Sequence, residues 1–486
     1  MIDVSGLTFG YEGSTENIFE NVSFRLDTDW KLGFTGRNGR GKTTFMNLLL
    51  GKFPYQGKIT ASVDFEYFPY EVKDASAFAI DAAREVYDFE DWELMRELNR
   101  LRVDEDVLWR PWNTLSMGER TKVLLAVLFL KPGSFLLIDE PTNHLDAEAR
   151  TLTAAYLNSK RGFILVSHDR AFLDACTDHT LSINRASIEV TAGSFSVWYE
   201  NKLRQDAFET AQNDRLKKEI ARLRETAREK ASWSDKTESS KIGTGSYDRG
   251  FIGHKAQKMM SRAKAIEKRT EAKIEEKSSL LKNVEEYEDL KLHPLTHHAP
   301  RLVSFDGASL CYGDTPAVTG LKFDITRGAR VCLSGANGCG KSTVIKAILG
   351  DPAVRVEGKA SIASGLTISY VPQDVSGLSG SLEDFESASG VDVVLFRAIL
   401  RKLDFSREMF TLPMEAYSAG QKKKAALARS LAGSAHLYIW DEPLNYIDIY
   451  SRMQIERLLA DSGATLLFVE HDRRFCDAIA TDVVKM

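Results

Sequence analysis

Across residues 200–292 apolar positions recur every three or four residues, and the stretch contains no proline. Leu216, Ile220, Leu223 and Ala227 form one stripe; Ala256, Met259, Ala263, Ile266 and Ile274 form another. That period puts each set on one face of an α-helix. Between them, Ser239-Ser240-Lys241-Ile242-Gly243-Thr244-Gly245-Ser246 is rich in helix breakers and predicts a turn. The pattern predicts a helical hairpin with arms over 200–232 and 251–291. Each arm would be roughly 50–60 Å long at the helical rise per residue. A hairpin that thin has no core of its own, so it reads as a lever or probe serving the sequence on either side.

The flanks carry short apolar runs instead, and each run closes on polar residues that repeat later in the chain. The run Trp30–Thr35 leads into Gly36-Arg37-Asn38-Gly39-Arg40-Gly41-Lys42-Thr43-Thr44, and Arg330–Ser334 leads into Gly335-Ala336-Asn337-Gly338-Cys339-Gly340-Lys341-Ser342-Thr343. Both match GxxxxGK[ST] after a strand pattern and before a helical one, which predicts a phosphate-binding loop. Glycines let backbone N–H groups wrap phosphates, the lysine reaches the outer oxygens, and the hydroxyl of Thr43 or Ser342 suits Mg²⁺. The strand patterns Phe135–Ile138 and Leu437–Trp440 then end in Asp139-Glu140 and Asp441-Glu442. At the C-terminal ends of strands these carboxylates face the ligand side of an α/β sheet. Asp139 and Asp441 suit the metal, and Glu140 and Glu442 suit a general base for an attacking water. Acids capping a following helix would explain one such pair; two pairs, each after a phosphate loop, point to catalysis.

Two further echoes complete the repeat. Leu115-Ser116-Met117-Gly118-Glu119 and Tyr417-Ser418-Ala419-Gly420-Gln421 each open an apolar helix, while Ser167-His168-Asp169-Arg170 and Glu470-His471-Asp472-Arg473 each follow a β-branched strand.

Composition narrows the setting. The 486 residues are 43% hydrophobic and 27% charged, ordinary for a globular chain of two or three domains. No apolar run approaches the roughly 20 residues that span a bilayer. Met1-Ile2-Asp3-Val4 enters a strand pattern at once, so no secretory or transit leader is expected. Five cysteines without a CxxC pair argue against zinc and structural disulfides and for a reducing, cytoplasmic setting. The net charge of −5 disfavours nucleic acid, but its distribution does not: residues 215–264 hold 14 Lys and Arg against 6 Asp and Glu. An acidic body with a basic projection suggests that the projection meets a polyanion, although a solvated helix surface gives the same count.

A phosphate loop, a signature of the LSGGQ type, an Asp-Glu strand and a switch histidine, each twice, resemble the ABC ATPases over residues 1–198 and 301–486. The resemblance implies an α/β chain with two ABC-type P-loop nucleotide-binding domains in tandem, 1–198 and 294–486. They are joined by a long α-helical hairpin linker, 199–293, with its tip at about 233–251. It implies a monomer whose two domains form an intramolecular dimer and bury two ATP molecules head to tail, with Mg²⁺. Site one would then pair Lys42, Asp139, Glu140 and His168 with Ser418 and Gly420; site two would pair Lys341, Asp441, Glu442 and His471 with Ser116 and Gly118. Tyr11 and Tyr312 stand where the family stacks a ring on adenine. Gln373 stands at the Q-loop position that touches Mg²⁺; in the first copy Tyr70 stands there instead, so the two sites are expected to differ.

Two domains fused through a charged hairpin, without membrane segments, resemble the ABC-F group that acts on ribosomes and not a transporter subunit. The wording Glu140-Pro141-Thr142-Asn143-His144-Leu145-Asp146 and the aromatic run Gly193–Glu200 are similar to that group. The spacing from Tyr70 to Ser116 leaves no room for the extra arm of its housekeeping members, and no C-terminal extension is expected. Ile439–Asp448 and Phe251–Met260 resemble the antibiotic-resistance (ribosome-protection) members of the Lsa type. That resemblance implies binding to the E site of the 70S ribosome beside 23S rRNA and P-site tRNA, and relief of lincosamides, streptogramin A compounds and pleuromutilins. A factor relieving stalled ribosomes without a drug is one alternative, and an ATPase subunit of an ABC transporter is another. Lys241, Tyr247, Arg249, Phe251, Lys255, Lys258 and Arg262 are the expected RNA contacts, by charge and by stacking.

Overall fold

The computed structural model describes residues 1–12, 17–37, 39–143, 145–184, 187–239, 268–269, 272, 292–336, 338–403 and 405–486; the side chains of 184, 187 and 226–239 lie outside that description. The chain divides into two units, one of Met1–Trp198 with Glu288–Met486 and the other of Tyr199–Tyr287.

The first unit holds the repeat. In each copy a three-stranded antiparallel sheet accompanies a larger, mostly parallel one. In the first copy β1 (Ile2–Phe9) lies between β2 (Phe19–Leu26) and β4 (Gln56–Ala61). The second sheet runs β5 (Asp64–Phe68), β6 (Ser134–Asp139), β7 (Phe163–Val166), β3 (Lys31–Thr35), β8 (His179–Asn184), β9 (Ser187–Ala192), antiparallel only at its β8–β9 edge. In the second copy β10 (Arg301–Tyr312) lies between β11 (Thr315–Thr326) and β13 (Arg355–Ile362). Its parallel sheet runs β14 (Ile368–Val371), β15 (Leu437–Asp441), β16 (Leu466–Val469), β12 (Arg330–Ser334), β17 (Asp482–Lys485).

The parallel strands read as unbroken apolar runs because helices cover both faces of the sheet. All five residues of β15 are buried, and the one polar atom of Trp440 is satisfied by donating from Nε1 to Ser430 Oγ at 2.9 Å. Helix Lys42–Leu49 packs Phe45 against Phe19, Phe24 and Phe34, which ties both sheets of the first copy into one core. The order β5-β6-β7-β3 has a direct consequence. Four neighbouring strands deliver, at one edge of the sheet, the Tyr70 loop, Asp139-Glu140, His168 and the phosphate loop, residues more than a hundred positions apart. In β14-β15-β16-β12 the same order delivers Gln373, Asp441-Glu442, His471 and the second phosphate loop.

In the second unit the first arm is helical. Helix Phe195–Ser239 has 45 residues, about 68 Å at the standard rise. It continues seven residues past the expected end at 232, because Trp233 to Ser239 contain neither glycine nor proline and the first glycine is Gly243. Ile220 is buried, with Leu216 and Leu223 half-buried, so the expected apolar stripe is the sheltered face. Pairs four residues apart, Lys202–Asp206 at 3.3 Å and Arg204–Glu200 at 3.7 Å, line other positions of this helix. Of the second arm, Lys268, Arg269 and Ala272 are described, and all three are helical. The tip loop and the contact residues Lys241, Tyr247, Arg249, Phe251, Lys255, Lys258 and Arg262 lie outside the described residues.

Candidate active sites

Each phosphate loop is made possible by a glycine that no other residue could replace. Gly41 has φ +96°, and a Cβ there would sit 2.5 Å from Ile18; Gly340 has φ +101°, with Val318 at 2.2 Å. A side chain at either position would meet both left-handed strain and a clash. The lysines lie buried within their own loops. Lys42 Nζ donates to Gly36 O at 2.6 Å and Arg37 O at 3.2 Å; Lys341 Nζ donates to Gly335 O at 2.9 Å and Ala336 O at 2.8 Å. Asn38 and Asn337 lie outside the described residues.

The hydroxyl following each lysine meets the aspartate ending the neighbouring strand. Thr43 Oγ1 donates to Asp139 Oδ2 at 3.3 Å, and Ser342 Oγ to Asp441 Oδ2 at 3.2 Å. A hydroxyl beside a carboxylate at a phosphate loop is an oxygen-donor set suited to a hard divalent cation such as Mg²⁺. Burial raises both aspartates above the usual carboxylate range, which a bound cation would reverse. Both glutamates stand in left-handed backbone, Glu140 at φ 49° and Glu442 at φ 48°. For a non-glycine residue that conformation costs on the order of 1–3 kcal/mol and concentrates at functional sites. Each is held there by a backbone bond to the neighbouring strand: Glu140 N donates to Val166 O at 2.9 Å, and Glu442 N to Val469 O at 3.0 Å. Each then faces its histidine, with His168 Nε2 3.3 Å from Glu140 Oε1 and His471 Nε2 3.5 Å from Glu442 Oε1.

Around this shared frame the polar surroundings differ. At site two Asn445 Nδ2 donates to Glu442 Oε2 at 2.7 Å, and Gln373 adds a second side-chain bond. Burial works against ionisation there, but His471 and the two amides outweigh it and pull Glu442 down to about 2. In the first copy Tyr70 stands at the sequence position of the glutamine. Burial, then the charge of Asp139, pushes Glu140 up to about 8. His168 is driven well below its ordinary value by burial and by Lys42, so it is neutral. A tyrosine not singled out from sequence also enters: Tyr67 donates from its hydroxyl to Asp139 Oδ2 at 2.9 Å. Its counterpart Tyr370 is pushed up to about 12 by burial and Asp441.

The first site also faces the second domain. Asp448, Lys424 and Arg452 act on Lys42 and His168 or on Glu140, and the Arg37 guanidinium lies 6.0 Å from the ring centre of Tyr450. Arg170 pairs with Glu456, and Arg474 bonds Asp174 at 2.5 Å and Ser196 at 2.7 Å across the same two domains. Asp448 caps helix Ile449–Ser462, and Arg452 grips Asp472 at 3.2 Å and Ile447 O at 2.9 Å. The first copy repeats this with Asp146, Arg150 and Asp169. That spacing of aspartate and arginine just past each Asp-Glu pair was the signal by which sequence could have found them.

Ser116 and Ser418 stand exposed at the N-caps of helices Met117–Leu128 and Ala419–Ala432, each in a capping box with Glu119 or Gln421. The free N–H groups of such a helix start favour an anion. Gly118 and Gly420 lie in the first turns, and a Cβ on Gly420 would press on Tyr446 O at 3.1 Å. Both tyrosines expected at adenine sit beside the helix that follows a phosphate loop. Tyr11 OH is 3.0 Å from Thr44 Oγ1, and the Lys346 ammonium lies 5.8 Å from the ring centre of Tyr312. Thr343, like Thr44, is buried in that helix.

Comparison with known proteins agrees with this geometry. The ABC transporter family profile matches residues 19–143 and 318–445. The ribosome protection protein VmlR of Bacillus subtilis is 28% identical over 96% of this chain and 83% of its own length. The energy-dependent translational throttle protein EttA of Escherichia coli is 25% identical over 96% of this chain and 89% of its own. Among solved structures, an RNase-L Inhibitor covers 99% of this chain and 87% of its own length with a TM-score of 0.61 at 19% identity, a likeness of fold. Among the described residues no helix is long and apolar enough to cross a membrane. Two phosphate loops, each set beside its own aspartate, glutamate and histidine, thus carry ATP hydrolysis, and the chain belongs to the ABC family of ATPases, of the paired-domain ABC-F type.

Proposed function

We propose that this ATPase is a ribosome-protection factor that binds the E site and relieves antibiotics acting at the peptidyl-transferase centre, of the lincosamide, streptogramin A and pleuromutilin classes. The observation that carries this reading is the similarity to VmlR along 96% of the chain, including the basic hairpin that separates the two ATPase domains. In this reading the signature Ser418 and Gly420 complete site one around Lys42, Thr43, Asp139, Glu140 and His168. Ser116 and Gly118 complete site two around Lys341, Ser342, Asp441, Glu442, His471 and Gln373. The helix N-termini offer N–H groups to the outer phosphate of ATP, and the lysines release their loop carbonyls to meet it. Thr43 and Asp139 in site one, and Ser342, Asp441 and Gln373 in site two, would hold Mg²⁺, which would supply neutralisation of the phosphate charge. Glu140 and Glu442 orient the attacking water, and their histidines fix the carboxylates. Domain closure on ATP favours ribosome binding; hydrolysis opens the domains and releases the factor in the cytoplasm.

Two experiments test it. The Glu140→Gln/Glu442→Gln protein should co-sediment with 70S ribosomes in ATP; its absence from that fraction contradicts the reading. Shortening residues 240–247 should abolish resistance in a drug-susceptibility panel, and undiminished resistance would remove the tip as effector. The similarity to EttA favours a second reading, a translation factor acting without drug. Expression of the wild type in a susceptible host separates the two, since only the first raises inhibitory concentrations.

A further inference from the structure

Lys423 lies one turn into helix Ala419–Ala432 and is almost wholly buried, 1% exposed. Its ammonium spends all three donors on backbone carbonyls: Pro372 O at 2.7 Å, Asp441 O at 3.1 Å and Gln373 O at 3.2 Å. Those carbonyls belong to the loop that carries Gln373 and to the strand end that carries Asp441 and Glu442. A buried, fully satisfied ammonium is a costly device, and removing it would leave three carbonyls without their donor. The first copy has Thr121 at the same place in its signature helix, and a threonine side chain is too short to span such a gap. Tyr67 there reaches Asp139 directly instead.

We propose that Lys423 is a positioning residue specific to the second ATP site: it ties the signature helix to the Gln373 loop and to the Asp441-Glu442 strand end, and so sets the distance from Gln373 to Glu442. This rests on Glu140 and Glu442 being the bases of sites one and two. The bond from Gln373 to Glu442 depends on where the loop backbone stands, and Lys423 holds the carbonyl of Gln373 itself. Loss of the strut would let the loop drift from the glutamate, lowering the rate of the chemical step more than the affinity for ATP.

The test measures kcat and KM for ATP in full-length protein with one working site, site two alone in Glu140→Gln and site one alone in Glu442→Gln. Lys423→Met should lower kcat about tenfold in the first background with KM changed less than threefold, and should leave the second background within twofold. Lys423→Arg, which keeps charge and donors, should recover at least half of the lost rate. Equal losses in both backgrounds, or no loss in either, overturn the proposal. Amide hydrogen exchange supplies a readout independent of the glutamates: in Lys423→Met the segments 371–376 and 441–446 should exchange faster while 68–73 and 139–144 stay unchanged. Unchanged exchange at 371–376 also overturns it. If the double Glu140→Gln/Glu442→Gln protein kept wild-type turnover, the assignment of the bases would fail, and the exchange result alone would decide the role of Lys423.

Discussion

The two ATP sites share a frame and differ in what surrounds the glutamate. At site two an amide pair and a histidine hold Glu442 ionised at about 2; at site one, with Tyr70 in place of the glutamine, buried Glu140 rises to about 8. Backbone geometry is common to both, down to the left-handed φ of each glutamate. Duplication therefore preserved the scaffold that places the groups, while a few polar side chains came to set their charge. Site two holds its glutamate ionised through its own neighbouring side chains. Site one draws on the second domain, through Asp448, Lys424 and Arg452, for part of its electrostatic setting.

The most severe way to break this comparison is to remove both glutamates proposed as bases. Glu140→Gln/Glu442→Gln should lower steady-state phosphate release by about 10²–10⁴-fold, the usual worth of a general base. A smaller effect, on stability, tests whether the copies also differ away from the sites. In the first copy buried Glu97 takes bonds from Tyr156 at 2.8 Å and from Lys160. In the second, buried Glu386 is gripped by two nitrogens of Arg397 at 2.9 Å. Removing one partner of such a buried cluster costs roughly 3–5 kcal/mol, so Glu97→Ala should lower the Tm of the first domain strongly. Burial alone would raise Glu97, but the bonds from Lys160 and Tyr156 outweigh it and hold the carboxyl below its ordinary range. Its stabilisation is therefore complete above that range and fades as pH falls through the lowered value. The gap in Tm between wild type and Glu97→Gln should narrow on acidification; a gap that widens would contradict this.

Exchanging the residues that distinguish the sites sharpens the comparison. Gln373→Tyr in the Glu140→Gln background should lower turnover about tenfold, since an amide hydrogen bond to a charged group contributes roughly 1.5–3 kcal/mol. Tyr70→Gln in the Glu442→Gln background should raise turnover a few-fold. The smallest expected effect lies at the tyrosines: Tyr11→Ala and Tyr312→Ala should each raise KM for ATP a few-fold with kcat nearly unchanged, as loss of stacking of about 0.5–1.5 kcal/mol would do.

What was legible in the sequence follows from how local each device is. A phosphate loop is a contiguous turn whose glycines are dictated by its own backbone, so Gly36–Thr43 and Gly335–Ser342 could be read directly, as could each Asp-Glu strand end and each capped signature helix. Tyr70 at the glutamine position raised the expectation that the two sites differ. The residues that carry it out were hidden because their partners are distant in sequence. Tyr67 acts on Asp139, Lys423 reaches back to Pro372, and Arg452 and Asp448 act on the other domain's site. The first hairpin arm runs past its expected end because residues 233–239, polar after Trp233, lack the apolar period while containing nothing that stops a helix.

The central claim, that one chain holds two ATP sites of unequal readiness, is tested most directly by single-turnover hydrolysis of ATP in the two half-disabled proteins. Glu140→Gln, working through Glu442, is expected to hydrolyse ATP faster at pH 7 than Glu442→Gln, working through Glu140, because His471 and the two amides keep Glu442 ionised to orient the attacking water. Equal rates, or a faster Glu442→Gln protein, would contradict it.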